Sequence, residues 1–288
     1  MESADRPSAA WIGPGLSYRR RYHQELLNLR AEEQTTAYGQ LVLEILPDHF
    51  FANPAALEAL AERYCLVFHD VGLSMATVGW DDARQHRLQC IQRLVKLARP
   101  VLFSDHLAMT YAPAGLDSGH LVPVWYTAEA LDVVAEHVRR CQDILEIPCA
   151  LENIAWPFLL PAPMSEPEFC AHLVQRTGCG LLLDVANLLC NLRNFPDLTA
   201  GWLQHYPLHA VQQIHLAGGV CQEGWWVDSH STPVEAASLE LFPALQACAA
   251  VKTIVIERDR HLPPLTALLA EAQHAAQYWQ QVCHGALR

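Results

Sequence analysis

Long apolar runs are missing from this sequence, which argues against a membrane-spanning helix. In the 288 residues, Asp, Glu, His or Pro interrupts each apolar stretch before it reaches the roughly 20 residues that a spanning helix needs. A secretion signal is missing as well, because Met1–Ala10 is polar and has no apolar core. We therefore predict a cytoplasmic protein with a flexible tail over residues 1–10 and one folded domain over residues 11–288.

Basic residues are few in this chain. It has 19 Lys and Arg against 31 Asp and Glu, which gives a formal net charge of −12. A nucleic acid is a polyanion and attracts the opposite balance, so the composition argues against a nucleic-acid partner. The sequence also lacks a G-x-G-x-x-G motif after its first strand and a phosphate-binding Walker loop, which argues against a nucleotide-binding fold.

Paired cysteine motifs are missing too. The ten cysteines include no C-x-x-C pair, and Cys65, Cys149 and Cys179 lie in apolar runs where cysteine behaves as a small hydrophobic residue. Because there is no secretion signal, we predict free thiols in a reducing compartment. Histidine, by contrast, is abundant: there are 15, and most of them, such as His86 and His137, fall at polar helical positions and are expected on the surface.

The sequence does contain a regular alternation of short apolar runs and amphipathic stretches. Asp81–Arg99 and Thr127–Glu146 place apolar residues at helical spacing on one face, as helices that cover a sheet do. The apolar runs are nearly continuous, which is typical of parallel strands buried on both faces. Eight such alternations predict an α/β fold, a single (β/α)₈ (TIM) barrel. The predicted strands are Trp11–Tyr18, Leu41–Leu46, Tyr64–Ser74, Val101–Met109, Ile147–Ala155, Gly178–Leu188, Ala210–Gly219 and Val251–Asp259.

Ionisable side chains stand at the carboxyl ends of six consecutive predicted strands. In a barrel these ends surround one mouth, where such folds carry their active sites. Two further candidates, Asp228 and His230, are spaced i, i+2 in an extended segment beyond the seventh strand, so their side chains face the same way. The full set of candidate metal ligands is His69, His106, Glu152, Asp184, Asn187, His215, Asp228, His230 and Glu257.

Each of these residues alone also has a purely structural interpretation. A histidine such as His69 or His106 fits a rim residue with a hydrogen-bond partner, Asp184 fits a helix cap, and Glu257 beside Arg258 fits an ion pair. Together they are costly to bury without compensation, which divalent metal ions supply. Nine ligands exceed the roughly four to six that one ion uses, so we predict two or three ions. The N and O donors leave Fe, Mn and Zn open.

Several neighbouring residues are candidates for supporting roles. Asp70 and Asp105 flank His69 and His106 and could orient those imidazoles. The basic run Arg19–Arg21 is interpreted as a solvated turn, with a peptide carboxylate as the alternative partner. None of these residues is predicted to bind a metal directly.

At these strand ends the sequence resembles the multinuclear non-heme iron-dependent oxidases. The resemblance runs nearly end to end, from Gly13-Pro-Gly-Leu-Ser-Tyr-Arg to about Leu268; each segment is weak by itself, and their order makes the match specific. Where many relatives have Ser-Glu-His on the fourth strand, this chain has Ser104-Asp-His, which shortens a supporting carboxylate and keeps the ligand. The family-like segments are His69-Asp-Val-Gly-Leu-Ser, Ser104-Asp-His-Leu-Ala, Leu151-Glu-Asn, Leu183-Asp-Val-Ala-Asn, Ile214-His-Leu-Ala-Gly, Asp228-Ser-His-Ser-Thr-Pro-Val and Ile256-Glu-Arg-Asp.

The resemblance implies a TIM-barrel enzyme that binds two or three iron ions in mixed Fe²⁺ and Fe³⁺ states and uses O₂ as cosubstrate. Its substrate would be a cysteine or another residue of a ribosomally made precursor or carrier peptide, captured with the help of a leader-peptide-binding partner protein. By the same resemblance, the nine candidates are ligands, Glu152 bridges two ions, and Glu152, Asp184 and His215 form the catalytic centre. The most similar branch excises the β-carbon of a C-terminal cysteine, although other members form oxazolone–thioamide groups or cyclise cysteines.

Two other functions compete with this one. A hydrolase or isomerase of the apurinic-endonuclease and sugar-isomerase kind would use a similar order of His, Asp and Glu around zinc or manganese. The acidic charge argues against the nuclease form, as does Asn187, where a histidine is expected. A barrel that only binds a partner is the third alternative, and metal analysis separates the first two.

Overall fold

Eight parallel strands form a closed barrel in the computed structural model, which describes residues 11–112, 116–199 and 201–285. Each strand pairs with the strands before and after it in the chain, and the last pairs with the first. The predicted (β/α)₈ fold is therefore confirmed. The predicted tail over residues 1–10 lies outside the described residues, so the tail and the domain bounds 11–288 stay predictions.

All eight predicted strands are present, and each is shorter than the apolar run that predicted it. A strand lasts only as long as its backbone pairs with both neighbours, whereas an apolar run continues into the buried turns at its ends. The barrel strands are β1 Gly13–Ser17, β2 Val42–Ile45, β3 Cys65–His69, β4 Phe103–His106, β5 Cys149–Glu152, β6 Gly180–Asp184, β7 Val211–Leu216 and β8 Thr253–Ile256. The α-helices are His23–Asn28, Pro54–Ala61, Asp82–Ala98, Ala128–Leu145, Glu166–Thr177, Val185–Asn194, Pro196–Thr199, Trp202–His205, Ala236–Glu240 and Leu265–Cys283.

The two helices with the clearest sequence signal occur within a residue of their predicted bounds. Asp81 caps the helix Asp82–Ala98 by accepting a hydrogen bond from the Arg84 backbone, and Thr127 caps the helix Ala128–Leu145 in the same way. The apolar stripes of both helices are buried against the barrel. Capping residues and helical spacing together therefore fixed these ends.

The interior of the barrel is layered. At its amino-terminal end the inward side chains form a small apolar cluster, which consists of Val42, Val67, Leu102, Ala150 and Leu182. Because strand side chains alternate with a period of two, the residues two positions further on also point inward.

Those next inward positions are polar. They are Glu44, His69, Ser104, Glu152 and Asp184, and all five are buried. The inward side chains thus change from apolar at the amino-terminal end, the floor of the barrel, to polar at its mouth over two residues of each strand.

Two β-hairpins rise from the barrel mouth. The first hairpin, Ala108–Ala112 with Leu116–Pro123, follows β4, and the second hairpin, Gly218–Gln222 with Trp225–Thr232, follows β7. The extended segment predicted to carry Asp228 and His230 is the second strand of the second hairpin. Gly218 is required there, since a Cβ at this position would lie 2.1 Å from the carbonyl oxygen of Pro233. Among the described residues no helix is both long and apolar enough to cross a membrane.

We expect Leu182→Ala to destabilise the barrel by about 2–5 kcal/mol, because it removes methyl groups from the fully buried floor and leaves a cavity. Denaturant unfolding followed by circular dichroism measures this change. Leu97→Ala is the matched control, since Leu97 is 36% exposed and its truncation should change the free energy of unfolding by less than 1 kcal/mol. Equal losses in both variants would contradict the assignment of a packed floor.

Candidate metal centre

The ends of six adjacent strands bring imidazoles and carboxylates together at the barrel mouth. His69, His106, Glu152 and Asp184 are the last residues of β3 to β6, His215 is the penultimate residue of β7, and Glu257 follows β8. Strand register places His106 beside Glu152 and Asp184 beside His215. Parallel pairing therefore converges these side chains without any special loop.

The first group of ligand atoms consists of His69, His106 and Glu152. Oε2 of Glu152 lies 3.3 Å from Nε2 of His69 and 3.2 Å from Nε2 of His106. The Nδ1 atom of His69 is 2.9 Å from the Ser104 hydroxyl, which leaves Nε2 directed at the shared carboxylate. All ligand atoms of this group lie within 4.8 Å of one another, so a single cation could contact them all.

The second group shares Glu152 with the first and adds Asp184, His215 and Glu257. Nδ1 of His215 is 3.1 Å from Oε1 of Glu152 and 3.1 Å from Oε2 of Glu257. Asp184 has two roles: its Oδ1 caps the next helix at the backbone of Asn187, and its Oδ2 faces this group 3.9 Å from His215. The capping interpretation and the ligand interpretation are thus compatible.

The third group consists of His230, Glu257 and Asp259, so Glu257 is shared with the second. Nδ1 of His230 lies 3.4 Å from Oε2 of Glu257 and 3.6 Å from Oδ2 of Asp259. On its other side, Nε2 of His230 is 2.7 Å from Oδ1 of Asp228. The backbone of His230 has φ +46°, a region that a non-glycine residue seldom adopts and that is concentrated at functional sites.

Several polar atoms of these groups lack hydrogen-bond partners among the described residues, although they are buried. They are Asp184 Oδ2 and the neighbouring Asn187 Oδ1, together with Glu152 Oε2, which has only the Nε2 atoms of His69 and His106 near it at 3.3 and 3.2 Å. Buried polar groups are ordinarily satisfied, because an unpaired one costs on the order of 1–3 kcal/mol. Such atoms at one mouth fit a site that is completed by cations with an N and O ligand shell.

The charges inside the mouth perturb one another strongly. Burial disfavours the ionised carboxylate of Glu152, but the imidazoles of His106, His215 and His69 outweigh it and lower the Glu152 pKa to about 2. Burial likewise opposes a charged His106, yet Glu152 raises the pKa of His106 to about 9. At Asp184 burial prevails and raises the pKa well above its ordinary value. The excess of carboxylates is what a bound cation would neutralise.

The family profile described as "RiPP precursor modification enzyme MbnB/TglH/ChrH" matches residues 13–280, where RiPP denotes a ribosomally synthesised and post-translationally modified peptide. The chain belongs to this family. A UPF0276 protein from Chromobacterium violaceum is 36% identical over 265 residues, covering 91% of this chain and 92% of the relative. A UPF0276 protein from Caulobacter vibrioides is 32% identical over 250 residues, covering 85% and 88%.

Solved structures share the fold of this MbnB/TglH/ChrH family member at low sequence identity. D-psicose 3-epimerase from Clostridium cellulolyticum with D-tagatose superposes with a TM-score of 0.59 at 14% identity, covering 96% of this chain and 97% of that one. A xylose isomerase-like TIM-barrel protein from Mycobacterium smegmatis in complex with magnesium gives a TM-score of 0.58 at 13% identity, covering 99% and 100%. These likenesses establish the TIM barrel. Family membership implies metal cofactors and a peptide substrate.

One buried carboxylate of this family member escaped the sequence analysis. Glu44, in the middle of β2, is fully buried, and its Oε2 lies 2.6 Å from Nε2 of His215 and accepts a hydrogen bond from the Gln213 side chain. Its signal in the sequence is a single carboxylate inside an otherwise apolar strand, away from the strand ends where most of the candidate ligands stand. Because Glu44 holds Nε2, the Nδ1 atom of His215 is left to face Glu152 and Glu257.

Several expectations for supporting residues were wrong. Asp70 does not orient an imidazole but pairs with Arg87, whose Nε is 2.8 Å away. Asp105, by contrast, accepts the backbone N–H of Leu73 at 3.1 Å and also faces the imidazole of His106, with Oδ1 in ion-pair range 3.8 Å from Nδ1.

Two further residues also differ from expectation. Arg19 is not part of a solvated turn, because it forms ion pairs with Glu257 and Asp259 and hydrogen-bonds Ser17. His137 is buried, with Nδ1 3.0 Å from the Met75 carbonyl oxygen. In both cases tertiary contacts outweighed the polar surroundings in sequence.

Glu152→Ala should remove more bound metal per chain than His106→Ala, because Glu152 belongs to two ligand groups and His106 to one. Elemental analysis of the purified proteins, together with circular dichroism to establish folding, measures the difference, which we expect to be about twofold. Glu58→Ala, on the exposed face of the helix Pro54–Ala61, is the control and should keep the wild-type metal content. Equal metal losses for the Glu152 and His106 variants would show that the groups do not share an ion ligand.

Glu44→Gln should weaken metal binding about 10- to 100-fold, the ordinary effect of losing a carboxylate that orients a ligating histidine. The variant keeps the volume of the side chain but removes the negative charge beside Nε2 of His215. Competition with a chelating dye measures the affinity, and Glu62→Gln, at an exposed residue just after the helix Pro54–Ala61, serves as control. An unchanged affinity would mean that Glu44 only fills the barrel.

Proposed function

We propose that this protein is an iron- and O₂-dependent oxidase that modifies a cysteine in a ribosomally synthesised peptide. The observation that carries the proposal is the chain of three adjoining ligand groups, joined by Glu152 and by Glu257, at the mouth of a barrel of this family. Adjoining groups with shared carboxylates suit a multinuclear centre, whereas a single ion would need only one of them.

The ligand groups suggest which residues would hold each ion. A first ion would take His69, His106 and Glu152, a second would take Glu152, Asp184, His215 and Glu257, and a third would take His230, Glu257 and Asp259. Asp228, 2.7 Å from His230, and Asn187, with its buried Oδ1, would complete the set proposed from the sequence. Two or three irons in mixed Fe²⁺ and Fe³⁺ states would supply redox capacity and Lewis acidity at this point.

The protein's own residues would prepare the reaction in three ways. Glu44 and Ser104 fix the orientation of His215 and His69, so that the proposed catalytic residues Glu152, Asp184 and His215 meet in a water-poor interior. Arg19 holds Glu257 from outside the mouth. Metal ions held by these residues would lower the pKa of a cysteine thiol that enters the mouth and would so favour its thiolate form.

A cavity of about 340 Å³ leads to the proposed centre. Its lining includes Asn187 and Asp228 of the ligand set together with Trp156, Trp225 and Trp226. We call it the metal-facing cavity. It has the size and the aromatic walls that suit a peptide side chain. We propose that the precursor or carrier peptide enters here, delivered by a leader-peptide-binding partner protein. We also propose that the reaction is that of the branch which the sequence resembles, the excision of the β-carbon from a C-terminal cysteine.

The test is anaerobic purification with elemental and Mössbauer analysis, followed by incubation with cysteine-containing peptides encoded beside the gene. We expect two or three irons per chain and a peptide mass change that requires both iron and O₂ and that disappears in a Cys→Ser peptide. Turnover that is unchanged without O₂, or activity with zinc or manganese alone, would favour the hydrolase or isomerase alternative. A Glu152→Ala or His215→Ala variant that behaves as wild type would point to a non-catalytic barrel.

A further inference from the structure

A second, larger cavity adjoins the metal-facing cavity. It has a volume of about 510 Å³ and is walled by Pro123, Tyr126, Trp156, Leu160 and Trp202, among other residues. Most of its lining comes from residues 156–167, the proline-rich segment that follows β5, so we call it the proline-lined cavity. Trp156 lines both cavities. The two cavities therefore share one wall residue.

The walls of the proline-lined cavity are held in place by hydrogen bonds. The buried carboxylate of Glu166, at the start of the helix Glu166–Thr177, accepts the Tyr126 hydroxyl at 2.9 Å and the Trp202 indole N–H at 3.1 Å. The backbone N–H of Trp156 donates to the Asn191 side chain at 2.8 Å.

The proline-rich segment itself is restrained as well. The indole of Trp125 donates to the carbonyl oxygen of Pro161 at 2.7 Å, and prolines 157, 161, 163 and 167 each restrict the backbone. The cavity is thus largely pre-formed, which is what a binding site needs to avoid the entropic cost of ordering itself.

The chemistry of the lining is apolar. Glu166 is the one carboxylate that lines this cavity in the described part of the chain, no Lys, Arg or His is among the lining residues there, and the two Glu166 oxygens are already engaged by Tyr126 and Trp202. Burial raises the pKa of Glu166 to about 7, so its charge is weakened near neutral pH as well. Glu166 therefore acts as an anchor for the aromatic walls. An apolar ligand fits this lining better than a cationic one.

Exposed apolar side chains cluster around the two cavities. Of the six large hydrophobic residues that the described chain exposes, Leu160 lines the proline-lined cavity and Trp225 lines the metal-facing cavity. Two more are next to lining residues: Trp125 hydrogen-bonds the Pro161 carbonyl oxygen, and Phe158 lies between Pro157 and Leu159 in the chain. Grouped exposure of this kind marks binding surfaces, whereas single exposed hydrophobic residues are normal.

We propose that the proline-lined cavity binds an apolar segment of the peptide substrate while the residue to be modified lies in the metal-facing cavity on the other side of Trp156. The inference rests on the proposed peptide substrate. It is supported by the shared Trp156 wall, because neighbouring residues of an extended peptide project to different sides at a spacing of about 3.3 Å and so reach adjoining cavities. The site would thereby select peptides by sequence near the modified residue.

The experiment measures binding of three capped dipeptide amides, acetyl-Leu-Trp-amide, acetyl-Gln-Asn-amide and acetyl-Lys-Lys-amide, by saturation-transfer NMR and calorimetry at moderate salt. We expect the apolar dipeptide to bind at least tenfold more tightly than the other two. Ala162→Trp, which fills the cavity, should weaken that binding at least tenfold. Ala98→Trp is the matched control, since Ala98 is a half-buried alanine lining a cavity of about 470 Å³ near the amino end of β3.

Two results would overturn the proposal: equal affinity for the polar or basic dipeptide, or unchanged affinity in Ala162→Trp. Because that variant could perturb folding, Leu160→Gln provides a second test at a residue that is 40% exposed and should weaken binding without lowering the melting temperature. Dipeptide binding requires neither metal nor O₂. Binding without any peptide oxidation would therefore refute the proposed function and keep the cavity assignment, whereas oxidation without dipeptide binding would do the reverse.

Discussion

Several carboxylates and imidazoles are confined inside the mouth of the closed barrel, and this confinement determines how the rest of the site is built. Glu44, Glu152, Asp184 and His215 are each almost fully buried, and several of their atoms have no hydrogen-bond partner within the described chain. An apolar barrel could be built from the same strands at lower electrostatic cost, because buried ionic groups seldom stabilise a fold by themselves. Their convergence is therefore explained by what they would hold rather than by what they contribute to folding.

The arrangement also explains why the groups share members. In a parallel barrel, neighbouring strands lie about 4.8 Å apart, so the ends of inward side chains from adjacent strands can meet at the mouth. A carboxylate has two oxygens and can face two neighbours, as Glu152 does with Oε2 toward His69 and Oε1 toward His215. Glutamates that lie between imidazoles thus join the separate ligand groups into one continuous series. Glu44 holds the fully buried imidazole of His215 in this series.

The fold and the convergence of the strand-end residues could be predicted from sequence, because apolar strands, helical stripes and strand-end polar residues are local patterns. The contacts of Asp70, Arg19 and His137 could not, since each depends on a partner from a distant part of the chain, such as Arg87 or Glu257. Asp259 was not among the nine candidate ligands, and its place beside His230 depends on how the second hairpin folds back over the mouth. Local pattern identifies which residues gather; long-range packing decides which atoms face each other.

Two kinds of elements build the mouth. The strand ends supply the ligand groups, whereas the second hairpin and the proline-rich segment after β5 build the cavities above them. Trp156 joins these parts: its backbone is tied to Asn191, in the helix that Asp184 caps, and its ring lines both cavities. Because Asp184 is also a member of a ligand group, one short helix contacts both the cavity wall at Trp156 and the ligand atoms. A substitution in that helix would therefore disturb the cavity wall and the ligand geometry together.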